Sequence, residues 1–287
     1  MKHHILAVAA LAAAAVGCQH QAPSGSLEAR VAKLEAAYAR NAEALEFLAK
    51  VYAQQKAQQQ AQQADEPADD AVFAVDIAED VKLGQVEGPA SAPVTIIKAF
   101  DFACPYCYRS TDTLKELTAA YGDKIRIVYM NLIVHPVARP AHLASCAAAK
   151  QGKYKAFKDA FWAKAYVPYE QSKGQDAAKL GEDNIFAIAK EIGLNVGQLK
   201  TDMAGSACAA RIEGDMAELV KFHVDATPTF FINGKEISGA LPVDEFKKLI
   251  DDQLKVVAAS GVPAAKYYDD VVLAKGEKQF RAKSDPK

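Results

Sequence analysis

The sequence predicts an α/β fold: a small sheet interrupted by a helical insertion and preceded by a long N-terminal helix. Three observations lead there. Apolar runs at Pro93–Phe100 and Lys124–Leu132, and a later one headed by Pro228, have the length of buried strands. Between the second and third runs, residues 138–224 carry helical apolar spacing and no strand signal. Ahead of all of them, Ser26–Gln63 carries apolar residues at alternating steps of four and three. Composition narrows the class further. With 51% hydrophobic and 24% charged residues among 287, the chain can bury a core and is not disordered throughout. A net charge of −2 gives no electrostatic case for nucleic acid. The only uninterrupted apolar run is at the N-terminus, which excludes a multi-span membrane protein.

Residues 1–17 read as a secretory signal peptide: Lys2 at the start, then an apolar run from Ile5 to Val16 too short to span a bilayer. Ala15-Val16-Gly17-Cys18 resembles a bacterial lipobox, in which Cys18 carries lipid and 18–25 is a tether. Leu is usual where Ala15 stands, and a plain signal peptide with Cys18 as a stray thiol is the alternative. Lipidation also explains the odd count of five cysteines, leaving four for two pairs in an oxidising compartment.

In the stretch 26–63, Leu27, Val31, Leu34, Tyr38, Asn41, Leu45, Leu48 and Tyr52 form a 3.5-residue seam. That spacing favours left-handed supercoiling with partner helices, and a polar Asn41 in the seam can fix register. A homo-oligomer, dimer or trimer, is expected. The alternative is an amphipathic helix folded back on its own domain. Gln54–Gln63 is expected to fray, and 64–71, with Pro67 and four acidic residues, reads as a linker.

Cys104-Pro105-Tyr106-Cys107 lies where the first strand hands over to a helix. The thiolate is the reactive species in disulfide exchange, and a helix N-terminus stabilises it. Pro105 suits the first helical position because it has no N–H to leave unpaired. Cys104 is expected to attack, Cys107 to resolve, and Pro105 and Tyr106 to tune the pair. A zinc site is the alternative, with His142 and Cys146 four apart on one helix face as further ligands. Downstream, Pro228 heads an apolar strand, Asn233-Gly234 signals a hairpin, Glu236–Gly239 is the return strand and Val243–Ile250 a closing helix.

The stretches VTIIKAFDFACPYC, TPTFFING and ISGALPVDEFKKLI resemble the thioredoxin superfamily, in particular its DsbA-like branch, over about 72–254. The resemblance implies a thioredoxin-like fold with its helical insertion at about 138–224, and a cis Pro228 facing the cysteines with Thr227 beside it. A substrate peptide would pair there in β-fashion. No metal or organic cofactor is implied. The partners implied are exported proteins bearing thiols or disulfides and a membrane redox partner, with the protein facing the periplasm. The heptad stretch resembles that of oligomeric DsbA-like proteins such as the trimeric suppressor-of-copper-sensitivity protein C type. This tilts the reading toward an oxidoreductase with isomerase capability. A non-enzymatic envelope lipoprotein binding peptides or copper is the competing reading.

One position departs from the family. An acidic residue is common six positions before the first cysteine, and here Lys98 stands there. It could stabilise a thiolate by charge, or snorkel to the sheet edge. Similar insertions sometimes carry a second disulfide, which makes Cys146–Cys208 the expected structural pair; two buried free thiols are the alternative. His135, just past a strand, could border the site or be surface, and Trp162 fits a core position. The extension 255–287 is expected to hold a short helix and, from Lys275, a flexible end.

Overall fold

The computed structural model describes residues 26–285. The proposed signal segment and Cys18 lie outside the described residues. Two compact units divide the chain, 1–60 and 61–287. Helix α1 (Leu27–Asp65) is one uninterrupted helix. Its Gln/Ala-rich end remains helical rather than frayed, because both residue types are good helix formers and the first proline after the helix start is Pro67. Leu27, Val31, Leu34, Tyr38, Leu45, Leu48 and Tyr52 are exposed along it. Asn41 donates its side-chain N–H to Ala37 O at 2.8 Å, so it is satisfied within the helix.

The second unit is built on a five-stranded sheet: β1 (Val86–Glu87), β2 (Val94–Phe100), β3 (Ile125–Asn131), β4 (Thr229–Ile232) and β5 (Lys235–Ser238), in the order β1-β3-β2-β4-β5. β2 and β3 are parallel and the other pairs antiparallel. Helix α3 (Pro105–Tyr121) makes the crossover that a parallel pair requires. Helix α2 (Ala78–Leu83) precedes the sheet. Every residue of β2 is buried, as befits a strand covered on both faces. Val94, Ile96 and Phe100 pack with α3 and the insertion, and Ile97 and Ala99 pack on the opposite side. At the β4–β5 hairpin, Asn233 and Gly234 have φ of 45° and 83°, as a two-residue Asn-Gly turn demands. A Cβ on Gly234 would stand 2.7 Å from Val72 and 2.8 Å from Phe73 O, so only glycine fits.

The insertion is wholly helical: α4 (Arg139–Lys150), α5 (Tyr154–Phe161), α6 (Val167–Gln171), α7 (Glu182–Glu191), α8 (Val196–Ala204) and α9 (Ser206–Val220). A π-helical turn, Trp162–Tyr166, joins α5 to α6. Trp162 is buried there, its ring 5.4 Å from Phe102 and 5.8 Å from Tyr108. Cys146 on α4 and Cys208 on α9 are disulfide-bonded, with Cα atoms 5.7 Å apart.

Two expectations differ from what the structure contains. The 64–71 stretch is not a free linker: α1 runs into it, and Ala68 and Ala71 are buried. Residues 275–285 do not hang loose either. Helix α10 (Val243–Ala259) overruns residue 254, then α11 (Ala264–Tyr267) and a π-helical turn, Tyr268–Leu273, follow. Phe280 stacks on Phe73 at 5.8 Å, and Arg281 pairs with Glu277 and Asp70. Residues 64–71 and 275–285 read as polar because each holds few apolar residues, yet Ala68, Ala71 and Phe280 join the cluster that includes Ile97 and Ala99 of β2.

The Cys146–Cys208 bridge spans 62 residues and joins the two ends of the insertion. Chain-entropy reasoning assigns such a loop up to about 4 kcal/mol. A Cys146→Ala/Cys208→Ala variant is expected to lose up to that amount in urea unfolding; an unchanged midpoint would show that the bridge adds no stability.

Candidate active site

β2 ends at Phe100, three residues turn, and Cys104 becomes the N-cap of α3 with extended backbone (φ −83°, ψ 122°). Pro105 takes the first helical position. Asp101 shapes this turn. Its buried carboxylate accepts hydrogen bonds from Ala103 N–H at 2.7 Å, Val134 N–H at 2.7 Å and His135 N–H at 2.6 Å. His135 Nδ1 lies 3.3 Å from the same carboxylate, so His135 borders the site through Asp101. Asp101 was not singled out in the sequence; its only local signal is a lone acid between Phe100 and Phe102 at a strand end.

Cys104 Sγ lies 3.2 Å from Thr227 O and, as a thiol, donates to it. The Thr227–Pro228 peptide is cis. The structure thus brings Cys104, Pro105, Tyr106, Cys107 and Thr227-Pro228 into one constellation. Tyr106 is exposed, and the Arg109 guanidinium sits 5.0 Å from its ring centroid. Cys107 is fully buried, and its Sγ accepts from Asp101 N–H at 3.5 Å.

The two sulfurs differ sharply in acidity. A hydrogen bond from the Cys107 thiol, joined by one from the Thr227 side chain and by the backbone N–H groups of Cys107 and Tyr106, pulls Cys104 down to about 5 against the effect of burial. Burial, and donation of that same hydrogen bond, hold Cys107 well above the usual thiol range. At neutral pH the reduced pair therefore holds a Cys104 thiolate and a Cys107 thiol.

Lys98 is neither at a sheet edge nor exposed. It is buried in mid-strand, and its Nζ donates to Cys107 O at 3.0 Å. The zinc alternative finds no geometry. The Cys146 sulfur is bonded to Cys208, and the buried His142 ring is engaged by Asn131 Oδ1 at 2.8 Å and by Phe102 N–H at 3.4 Å. Burial pulls His142 down to about 4, so it is neutral. Among the described residues, no three His, Cys, Asp or Glu side chains gather as a metal site requires.

Comparison with known proteins identifies the family and the fold. The family profile described as Thioredoxin matches residues 80–252. Oxidised BdbD from Bacillus subtilis is similar at 24% identity, covering 66% of this chain and 99% of its own, with a TM-score of 0.52. Wolbachia pipientis alpha-DsbA1 is similar at 17% identity, covering 61% and 92%, also with a TM-score of 0.52. These likenesses show the fold. Among curated proteins, the Na(+)/H(+) antiporter NhaA of Herminiimonas arsenicoxydans is 28% identical over 185 residues, which are 64% of this chain and 28% of that protein. The chain thus spans about a quarter of the length of the curated relatives it matches. Among the described residues, no helix is long and apolar enough to cross a membrane. With the profile covering more than half of its length, and the Cys-Pro-Tyr-Cys turn and cis-proline loop in place, the chain belongs to the thioredoxin family and has the DsbA-like form of its fold.

Proposed function

We propose that the chain is an exported thiol–disulfide oxidoreductase that forms and rearranges disulfides in other exported proteins. The observation that carries this reading is the seat of Cys104: a low-pKa sulfur at a helix N-terminus, beside a buried thiol of raised pKa and against the Thr227 carbonyl. In the oxidising direction, a substrate thiolate attacks Cys104 of the disulfide and Cys107 leaves, taking up a proton in its dry pocket. The substrate's second thiolate then attacks its own sulfur in the mixed disulfide, releasing Cys104 as thiolate. In the isomerising direction, the Cys104 thiolate attacks a substrate disulfide, and Cys107 resolves complexes that fail to rearrange. A stabilised Cys104 thiolate favours the reduced state, so the pair acts as an oxidant. The peptide lies along the backbone at Thr227-Pro228, ahead of β4, as an added strand.

Export is supported by the character of residues 1–17 and by the second disulfide, which persists in an oxidising compartment. Lipid attachment at Cys18 would hold the protein at the envelope, near a membrane redox partner. The heptad seam of α1, with its apolar side chains exposed, supports a homo-oligomer of two or three chains. Facing active sites in such an oligomer suit isomerisation.

Four outcomes test this reading. Alkylation of reduced Cys104 should reach half its maximal rate near pH 5, because the thiolate predominates above that value. Cys107→Ala removes the largest cause and should move the midpoint upward; a wild-type midpoint near the ordinary ~8.5 would defeat the account. The same shift makes the reduced fold gain stability as pH rises from about 5 to about 8.5, since only the unfolded chain keeps that proton. Cys104→Ala should abolish disulfide exchange with a reduced, unfolded substrate, and full activity in that variant would refute the enzymatic reading. Deleting residues 26–63 should give a monomer that still oxidises thiols but isomerises scrambled substrates poorly; an unchanged mass in solution would remove the oligomer.

A further inference from the structure

Lys98 sits at the centre of the sheet, opposite Tyr129 of β3 on one side and Phe230 of β4 on the other. Strand alternation places it on the face shared by Val94, Ile96 and Phe100, which also packs α3. It is 1% exposed. Its one hydrogen bond runs to Cys107 O, and its Nζ stands 6.0 Å from the ring centroids of Phe100 and Phe230. An ammonium has three donors, so two N–H directions are left over. The nearby carboxylates are engaged by other lysines: Lys158 Nζ lies 2.9 Å from Glu87 and 2.8 Å from Asp159, and Lys155 Nζ lies 3.5 Å from Glu87. Among the described residues, Lys98 forms no ion pair with a carboxylate.

A buried cation without a bonded counter-ion is costly, and it sheds its proton more readily than an exposed one. Burial brings Lys98 down to about 8. Cys107 would oppose this most strongly if ionised, but it is held as a thiol, so the opposing charges present are the Cys104 thiolate and Glu87, while Lys158 adds to the lowering. A partly open cavity of about 520 Å³ meets Lys98 from behind α3, between Phe100, Thr111, Tyr129, Lys158 and Trp162. That space admits several waters and gives the amine a proton route that does not pass through the substrate groove.

We propose that Lys98 takes up a proton from the cavity when the Cys104–Cys107 disulfide is reduced and returns it when the disulfide reforms. The inference rests on the redox role argued above. In the oxidised pair both sulfurs are neutral and Lys98 faces no anion from them. On reduction two electrons enter the S–S bond, which breaks. Cys104 keeps a negative charge, Cys107 takes one proton, and Lys98 takes a second. The other titratable groups facing the cavity are Glu87 from β1, Tyr129 from β3, Tyr108 and Lys115 from α3, and Lys155, Lys158 and Asp159 from α5. None of these gains or loses covalent bonds between the two redox states. A difference in Lys98 protonation between the states therefore reports the sulfurs.

Exchange with glutathione makes the extra proton countable. Two glutathione thiols deliver two electrons and two protons to the disulfide. If only Cys107 keeps a proton, one is released, and the equilibrium constant rises tenfold per pH unit between about pH 5 and the glutathione thiol's own ~8.5. If Lys98 keeps the other, none is released, and the constant is flat over the interval in which Lys98 is protonated only in the reduced form. That interval ends near 8 and begins lower, at the value Lys98 has without the thiolate. Between pH 6 and 8, Lys98→Met should show a rise of about a hundredfold, and the wild type a smaller one, by about fivefold if Lys98 titrates one pH unit lower in the disulfide form. Lys98→Arg, charged in both states, should follow the steep Met slope, which separates proton uptake from static charge. Parallel wild-type and Lys98→Met slopes would overturn the proposal. A second measurement needs no variant: NMR titration of the Lys98 side chain in the oxidised and reduced full-length protein. A higher midpoint in the reduced form supports the proposal, and equal or reversed midpoints refute it. Failure of the wild type to exchange with glutathione would instead remove the redox role itself, while the NMR comparison stays readable.

Discussion

The buried carboxylate of Asp101 is the constraint on which the active site depends. The parallel pair β2–β3 ends in two loops that must both expose backbone N–H groups at the same end of the sheet. Asp101 accepts from Ala103, just before Cys104, and from Val134 and His135, just after β3. Hydrogen bonds to a charged acceptor are roughly twice as strong as neutral ones, and these three are made where water does not compete. They fix the turn that presents Cys104 at the start of α3, and the Asp101 N–H reaches the Cys107 sulfur directly. The acidity of Cys104 follows from that placement. With the turn loosened, neither the first-turn N–H groups nor the Cys107 thiol would point at its sulfur.

A second layer holds the Thr227 loop opposite. Asn233 stands on the β4–β5 turn, yet its side chain accepts from Thr95 N–H at 2.8 Å and donates to Pro93 O at 3.2 Å. The hairpin is thereby tied to the entry of β2. β4 then runs antiparallel to β2 from Thr229, placing residues 227–228 beside the end of β2 that leads to Cys104. The distance of 3.2 Å between Cys104 Sγ and Thr227 O is the joint outcome of sheet register and of the Asp101 turn that seats Cys104.

This explains what could be read from the sequence. The Cys-Pro-Tyr-Cys turn, the Asn-Gly hairpin, the apolar strands and the helical insertion are local patterns, each visible within a dozen residues. Asp101 and the polar ends were not legible in the same way. Asp101 works through residues 33 and 34 positions away, and Phe73 meets Phe222 and Phe280 across most of the chain. A lone acid in a turn carries no periodicity, and neither the short apolar run around Phe73 nor Phe280 in its polar stretch shows its distant partner. Lys98 stood out only as a departure from a family pattern; that it lies in mid-sheet under Cys107 depends on β3 and β4 closing over both of its edges.

Lys98 and the N-terminus of α3 act on the pair with the same sign. A carboxylate in the sheet beneath the cysteines would repel a thiolate and hold a proton ready for the resolving sulfur. A lysine there attracts the thiolate and, once protonated, has no need to give its proton up while the anion persists. Both the helix terminus and the buried cation therefore lower the free energy of the reduced pair relative to the disulfide, which raises its oxidising strength. The counterpart is the oxidised state, in which the cation would lie in an apolar sheet with no anion from the sulfurs. Only a group able to discard its charge is tolerable in both states. Lysine meets that condition when buried, and arginine, ionised throughout the physiological range, does not. The residue type at position 98 is thus matched to a site whose charge changes with every turnover.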